Sequence, residues 1–311
     1  MARVCVFAPV PILTITIEER HGQDDAEIHL HAGGQGYWIA RLIAEFGADV
    51  VLCATFGGES GRVVEALLQA ERLHVRAVPV AASSRAYIHD RRSGERDEVA
   101  SMGAEALSRH EVDDLYGLTL VEGLEADVCV LGGPGPNRDV IPPEVYRRLA
   151  ADLSNAERYV VADLSGDLLQ AAAAGGADVL KVSHEDMVRD GLAESDDVRV
   201  LIEGMRRLRA GSETSVVCSR AEQPALAMFD NRLVSVTTPE VEPADPRGTG
   251  DSFTAGLSTG LARGFSFERA LQLAGAAGSL NATRHGLGSG TRDEVERLAR
   301  HVVVEDLHGF P

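Results

Sequence analysis

Residues 245–256 read Asp-Pro-Arg-Gly-Thr-Gly-Asp-Ser-Phe-Thr-Ala-Gly and lead from a polar loop into an Ala-, Gly- and Leu-rich helical pattern. Gly248 and Gly250 have no Cβ, so the backbone can turn sharply and expose successive N–H groups. These groups stand at the N-terminus of the predicted helix, where the helix dipole also favours an anion. The stretch therefore predicts a site for a phosphoryl group.

Asp251 places a carboxylate at the edge of this predicted anion site. One interpretation is a general base that accepts the proton of a hydroxyl attacking the bound phosphoryl group. The other is a structural N-cap of the helix, a position that Asp often fills. The residues alone leave both interpretations open.

A second glycine-rich stretch, residues 32–47, reads Ala-Gly-Gly-Gln-Gly-Tyr-Trp-Ile-Ala-Arg-Leu-Ile-Ala-Glu-Phe-Gly. It predicts an amphipathic helix that opens on glycines and closes at a C-terminal glycine. An apolar strand over 50–55 follows, and then Gly57-Gly-Glu-Ser-Gly61.

Together these two stretches resemble the signatures of the ribokinase/PfkB family of sugar kinases. The first is similar to that family's C-terminal Asp-Thr-x-Gly-Ala-Gly-Asp, and the second to its Gly-Gly-Lys-Gly-x-Asn-x-Ala. Residues 160–166 and 179–186 look like two further segments of the family, Asp-x-Ser-Gly and Lys-Pro-Asn-x-x-Glu. The branch that the chain most resembles contains 1-phosphofructokinase and tagatose-6-phosphate kinase.

The resemblance implies one ribokinase-like domain over 1–311 and ATP-dependent phosphorylation of a sugar or sugar phosphate, with Mg²⁺ bridging the nucleotide phosphates. A monovalent-cation requirement stays open. Asp251 would be the base, with the backbone of Gly248, Thr249 and Gly250 stabilising the transferring group. The implied acceptor-binding residues are Gly33, Gly34, Gln35, Trp38, Arg85 and Asp163. The implied nucleotide-binding residues are Ser183, Asp186, Ser219, Arg247 and Gly275, with Asp186 also acting indirectly on the metal.

Several substrate positions depart from the family pattern. No Asp stands near Ile12, where the family binds substrate; Gln35 replaces the signature Lys; and Trp38 replaces the sugar-binding Asn. Ser183 and Asp186 stand for the Asn-x-x-Glu pair. Because polar pairing decides discrimination among such substrates, two alternatives remain: a kinase of the same fold for a nucleoside or other non-sugar alcohol, and a nucleotide-binding regulatory protein without turnover.

Trp38 itself has two interpretations. If it faces the pocket, it favours a flatter, less polar or larger acceptor, or it stacks on a sugar face. Otherwise it packs in the core.

Strand-like and helix-like patterns alternate along the chain. Short apolar runs over 4–7, 50–55, 128–131, 159–163, 179–182 and 215–218 predict strands, and patterns over 37–46, 61–72, 143–153, 166–174 and 198–210 predict helices. This order indicates an α/β fold with a mostly parallel sheet covered on both faces. Residues 14–32 and 76–101 alternate polar and apolar residues, which predicts a small β-sheet outside the main sheet. In the family this is a lid that clasps a partner in a homodimer.

Composition sets limits on partners and location. A net charge of -18 argues against a nucleic-acid partner. No span long and apolar enough for a membrane is visible. Four cysteines lie in apolar runs without metal-ligand spacing, and the histidines show no zinc spacing either. We therefore expect a cytoplasmic protein without a transition-metal site.

Overall fold

Strands and helices alternate through most of the chain, in a computed structural model that describes residues 2–20, 25–71, 73–135, 138–209, 213–242, 244, 247–284 and 290–309. The strands are β1 Arg3–Ala8, β2 Ile12–Glu19, β3 Ala26–Gly33, β4 Asp49–Phe56, β5 His74–Pro79, β6 Ala86–Asp90, β7 Asp97–Met102, β8 Val128–Gly132, β9 Tyr159–Asp163, β10 Val179–Ser183, β11 Ser215–Arg220, β12 Gln223–Phe229, β13 Arg232–Thr237 and β14 Val303–Asp306. The helices are α1 Gln35–Glu45, α2 Gly58–Ala70, α3 Arg109–Leu124, α4 Pro143–Asn155, α5 Gly166–Ala174, α6 His184–Arg189, α7 Val198–Arg209, α8 Thr249–Ala262, α9 Phe267–Ala282 and α10 Arg292–Leu298.

The main sheet, in the part of the chain described, has the strand order β14-β13-β12-β11-β10-β9-β8-β1-β4-β5. Within this sheet, every neighbouring pair in the row β11-β10-β9-β8-β1-β4-β5 is parallel. The strands β12, β13 and β14 continue the sheet beyond β11 with antiparallel pairs. The prediction of a mostly parallel sheet is therefore confirmed. The carboxyl ends of β8, β9 and β10 are neighbours, which is where ligands bind in such sheets.

The smaller sheet has the order β3-β2-β6-β7 and is separate from the main sheet; we call it the lid. Its β2–β6 pair is parallel, its other pairs are antiparallel, and a register shift falls between Ile88 and His89. A second sheet was predicted, but its bounds differ. Residues 76–79 belong to β5 of the main sheet, because they continue the parallel register with β4, and β2 already begins at Ile12.

Helices cover both faces of the main sheet. Side chains of α1, α8 and α9 such as Ile39, Leu257 and Leu271 build the core on one face. Side chains of α3, α4 and α7 such as Leu115, Leu149 and Leu201 build it on the other. Both faces of the central strands are therefore buried beneath helices, as their continuous apolar runs predict.

The four cysteines are free and buried, as their apolar surroundings predict. No helix in the described ranges is long and apolar enough to cross a membrane.

Candidate active site

Helix α8 begins at Thr249, one residue after a left-handed glycine. Gly248 is the N-cap, with φ 72° and ψ 2°, a conformation that other residues rarely adopt. No side chain caps this helix. Gly250 and Asp251 therefore lie in the first turn of the helix, which begins before the helical pattern predicted over 252–261. The structural interpretation of Asp251 as the N-cap is wrong, because Gly248 holds that position.

Asp251 is half-buried at this helix start. The pKa of its carboxyl is raised to about 7, because burial and the carboxylate of Asp163 raise it more than the ammonium of Lys181 lowers it. A carboxyl group with such a pKa can both accept and release a proton near neutral pH.

Lys181 and Asp163 form a buried ion pair beside Asp251. The Lys181 Nζ lies 3.0 Å from one carboxylate oxygen of Asp163, and the Thr254 hydroxyl donates to the other at 2.6 Å. Gly250 packs directly against this ion pair, since a Cβ at residue 250 would lie 3.0 Å from Lys181 Nζ. Burial by itself would lower the pKa of Lys181, but Asp163 and Asp251 raise it overall. The lysine thus stays charged next to the predicted phosphoryl site.

Sequence reasoning did not single out Lys181 as a site residue. The available signal was a charged residue inside an apolar strand, because Lys181 interrupts Val179–Ser183, which is otherwise mostly apolar. A charged residue in a buried strand is kept only with a partner. That partner, Asp163, is its neighbour in the parallel register between β9 and β10.

The predicted nucleotide-binding residues lie around the ends of β10 and β11. Ser183 caps α6, accepting from the Asp186 N–H at 3.0 Å and donating to its carboxylate at 2.7 Å. Asp186 also forms an ion pair with Arg189. Ser219 is the register partner of Ser183 on β11.

Gly275 and Arg247 lie elsewhere around the helix start. A Cβ at Gly275 would lie 3.1 Å from both Thr238 and Val302, so this glycine lets α9 pack closely. The Arg247 side chain is exposed, and its carbonyl accepts a hydrogen bond from Asn281 at 2.7 Å. Asp245 and Pro246 of the quoted motif lie outside the described residues.

The predicted acceptor-binding glycines stand at the start of α1. Gly34 is its N-cap with φ 102°, and a Cβ there would lie 3.0 Å from the Val10 carbonyl oxygen. A Cβ at Gly33 would lie 3.0 Å from the Thr14 hydroxyl. The Gln35 side chain reaches the end of β8, where its Oε1 accepts from the Gly133 N–H at 2.8 Å. Gln35 thus joins α1 to the edge of the sheet where Asp163 also lies.

Trp38 and Ile12 pack against the core near these glycines. The Trp38 ring is half-buried against the main core, 4.5 Å from the Tyr37 ring, and the Arg41 guanidinium lies 5.8 Å from its centroid. Ile12 is buried. Both residues make apolar contacts at the positions where the family has polar groups.

Arg85 lies where the lid meets the main domain. A Cβ at Gly135, in the loop after β8, would lie 3.2 Å from an Nη atom of Arg85. The guanidinium also lies 5.9 Å from the Tyr87 ring centroid. Since this loop follows a strand of the site edge, Arg85 faces the cleft between lid and sheet.

Metal-binding groups are sparse in the parts of the chain that the structure describes. No cluster of three or more His, Cys, Asp or Glu side chains suited to a metal ion occurs there. The His29 and His31 rings stack at 6.0 Å on the lid.

Comparison with known proteins places this arrangement in a family. The sequence profile of the pfkB family carbohydrate kinases matches residues 1–294. The chain is 28% identical over 276 residues to the ATP-dependent 6-phosphofructokinase isozyme 2 of Escherichia coli, covering 86% of each protein. It is 22% identical over 279 residues to a tagatose-6-phosphate kinase of Staphylococcus epidermidis, covering 89% of each.

Among solved structures, E. coli phosphofructokinase-2 in complex with potassium superposes with a TM-score of 0.84 at 22% identity, covering 96% of this chain and 99% of that one. The fold is the ribokinase-like α/β fold. The chain belongs to the pfkB family of carbohydrate kinases. The predictions of a ribokinase-like fold and of a kinase that phosphorylates a sugar are thereby confirmed. The alternatives of a non-sugar kinase and of a regulatory protein gain no support.

Proposed function

We propose that this kinase transfers the γ-phosphoryl group of ATP to a hydroxyl of a sugar phosphate, with Asp251 as general base. The observation that carries the proposal is a carboxyl group of pKa about 7 in the first turn of α8, beside the charged Lys181. This combines a proton acceptor with two positive features, the helix N-terminus and the ammonium, that favour a phosphoryl group.

In the proposed reaction the acceptor hydroxyl gives its proton to Asp251. The acceptor oxygen then bonds to the γ-phosphorus as the bond from that phosphorus to the ADP oxygen breaks. The backbone of Gly248, Thr249 and Gly250 stabilises charge on the transferring group. Lys181 adds a charge-assisted donor, and Asp163 and Thr254 hold it in position. Arg247, from the adjoining loop, supplies a further guanidinium.

The residues present fit a nucleotide with its metal. Bound Mg²⁺ would neutralise charge on the nucleotide phosphates, and it would need few protein ligands. Asp186 would act on it indirectly, because its carboxylate already contacts Ser183 and Arg189. Ser219 and Gly275 complete the proposed nucleotide side. We include a monovalent cation as a further cofactor, because the similar E. coli phosphofructokinase-2 structure contains potassium.

Two observations support a phosphorylated acceptor of the 1-phosphofructokinase kind. The relatives carry names of sugar-phosphate kinases, and Arg85 faces the cleft with a guanidinium that can bind a phosphate through two hydrogen bonds. Gly33, Gly34 and Gln35 would line the rest of the acceptor site. Trp38 would shape its apolar side from the position where it packs on the core.

We further propose a homodimer formed through the lid, in a cytoplasmic protein. The outer strands β3 and β7 of the lid expose four large apolar side chains: Ile28, Leu30, Val99 and Met102. Apolar side chains on a surface sheet favour a partner that covers them. Free buried thiols fit a reducing compartment.

The test is an ATP-consumption assay with a panel of acceptors. The panel contains fructose 6-phosphate, fructose 1-phosphate, tagatose 6-phosphate, the corresponding free sugars, and a nucleoside. We expect turnover with at least one hexose phosphate and a kcat/KM for it well above that of its free sugar. Turnover confined to free sugars or to the nucleoside would contradict the proposed acceptor class, and nucleotide binding without turnover on any acceptor would contradict the proposed kinase activity.

A further inference from the structure

Arg96 is the one half-buried residue in the otherwise exposed segment 91–100, which joins β6 to the outer strand β7 and contains the start of β7. The sequence predicts an exposed hairpin turn over residues 91–96, and residues 91–95 are indeed exposed between the antiparallel strands β6 and β7. Arg96 differs. It folds back onto β6, and its guanidinium lies 5.8 Å from the ring centroid of Tyr87. A long charged side chain gives up hydration in this position, which requires a compensating interaction.

Tyr87 is in contact with two arginines. Arg85 contacts the same ring at 5.9 Å, so two guanidinium groups lie within 6 Å of one phenol ring. Residues 85, 87 and 89 project from the same face of the lid because side chains alternate along a strand. The His89 ring stands edge-on to Tyr87 at 4.5 Å. Together these residues form a cationic face, which we call the arginine face.

The arginines of this face lack the carboxylate partners that neighbouring arginines have. Arg91 pairs with Glu18 at 3.3 Å, and Arg92 pairs with Asp90. Within the described ranges, neither Arg85 nor Arg96 forms an ion pair with a carboxylate. Two arginines are thus held near each other without a carboxylate. Their charges are offset by the π contacts and by a hydrogen bond from Arg96 to the Tyr87 hydroxyl, and cation–π contacts are worth only about 0.5–2 kcal/mol.

The arginine face lies near Arg247, the residue before the N-cap of α8. Burial lowers the pKa of Arg96, and the nearby guanidinium of Arg247 lowers it further. Burial likewise lowers the pKa of His89, with Arg96 and Arg247 adding to the effect and Glu98 opposing it. The Nδ1 atom of His89 is buried, and the described part of the chain offers it no hydrogen-bond partner. Positive groups of the lid and of the α8 loop therefore face each other across the cleft.

We propose that Arg96 is a second ligand for the phosphate of the acceptor, acting together with Arg85, which contacts the same Tyr87 ring. The inference rests on the proposed function, since it concerns the acceptor of the same site. A phosphate monoester dianion supplies the compensation that the arginine face lacks, because guanidinium groups bind phosphate oxygens bidentately. Arg96 then makes the enzyme specific for phosphorylated over free sugars, and it couples the lid to the loop of Arg247.

The test compares Arg96→Ala with Arg92→Ala, which removes the same charge from the same segment at a residue already paired with Asp90. Arg96→Ala is expected to lower kcat/KM for the preferred hexose phosphate about 10- to 100-fold, the range for a lost hydrogen bond between charged groups. KM for ATP and kcat/KM for the free sugar should change less than about 3-fold. Arg96→Lys should restore part of the loss, and Arg92→Ala should behave like the wild type.

Direct binding, measured by calorimetry with inorganic phosphate and the panel's hexose phosphates, separates this inference from the proposed function. If the wild type phosphorylates a hexose phosphate but Arg96→Ala matches Arg92→Ala, the inference is wrong and the proposed function stands. If no acceptor is turned over, but phosphate compounds bind in a way that Arg96→Ala abolishes, the proposed function fails and the anion site stands. Absence of both turnover and binding overturns both.

Discussion

The carboxyl group of Asp251 is held in an environment that is unfavourable for its charge. Burial and Asp163 raise its pKa while Lys181 lowers it, with a net value of about 7. A folded-state pKa above the unfolded one means that the group favours folding only while protonated, and that this contribution is lost as pH rises through about 7. Such strain at a reactive residue is common in active sites.

A first prediction concerns the pH dependence of turnover. A general base must be unprotonated, so kcat should fall as pH drops through about 7. Bound phosphates add negative charge nearby, so the midpoint with bound substrates should be about 7 or higher. The measurement is kcat between about pH 5.5 and about pH 9. The acceptor is kept saturating, because kcat then reports ionisations in the enzyme–substrate complex and not the ionisation of the free sugar phosphate near pH 6. A rate that stays constant down to about pH 5.5 would rule out Asp251 as the base.

At this scale the sequence predicts motif residues better than their supporting contacts. Asp251 and Gly248 could be named as candidates because glycines and a carboxylate at the start of a helix have a direct chemical meaning. Lys181 was missed, because its role depends on the neighbouring strand that brings Asp163 within 3.0 Å. Which strands lie next to each other is decided by the tertiary fold and cannot be read from the local spacing of residues.

At the scale of elements, the start of α1 is fixed by close packing on β1. A Cβ at Gly36 would lie 2.3 Å from the Cβ of Ala8, far inside van der Waals contact. This glycine lets the helix that carries Gln35 lie directly on the strand, next to the acceptor side of the site. The spacing of the second signature thus has a packing reason as well as a chemical one.

A second prediction follows for Gly36→Ala, with Gly117→Ala as the matched control. Gly36→Ala should lower the free energy of unfolding by about 1–3 kcal/mol through overpacking. Gly117 lies within α3 with nothing near the added Cβ, so Gly117→Ala should be neutral or stabilise by up to about 1 kcal/mol. Denaturant unfolding of both variants is the measurement. Equal effects of the two substitutions would show that α1 does not depend on this contact.

The elements that sequence reasoning predicted were those with strong local periodicity. The central strands and α1, α2, α4, α5 and α7 were predicted to within a few residues. The helices α3, α9 and α10 and the strands β12–β14 were not predicted. The pattern of α3 has almost no apolar side, since it mixes charged and apolar residues all round. The β12–β14 strands lie at the side of the sheet and depend on their neighbours for register.

At the scale of the whole molecule, the lid is a four-stranded sheet, within the described residues, with a cationic face towards the cleft and apolar side chains exposed on its outer strands. Ile28 on β3 is 62% exposed, a large apolar side chain in full contact with solvent. The proposed homodimer would cover this surface, and it would hold the arginine face in place over the site.

A third prediction tests this assembly with Ile28→Glu and the control Val121→Glu. Val121 on α3 is similarly exposed, at 59%, but lies outside the lid. Sedimentation should show a dimer for the wild type and for Val121→Glu, and a monomer or a much weaker dimer for Ile28→Glu, because a buried unpaired charge is costly. An unchanged dimer in Ile28→Glu would place the interface elsewhere, and a monomeric wild type would contradict the homodimer itself.

The turnover of Asp251→Asn with ATP and the preferred hexose phosphate, beside Asp113→Asn on α3 as control, tests the central claim most directly. The substitution keeps the size of the side chain and removes the basic oxygen. We expect kcat to fall about 10²- to 10⁴-fold, while ATP binding stays equal or tightens and Asp113→Asn keeps wild-type turnover. Near-normal phosphoryl transfer by Asp251→Asn would contradict the mechanism proposed for this kinase.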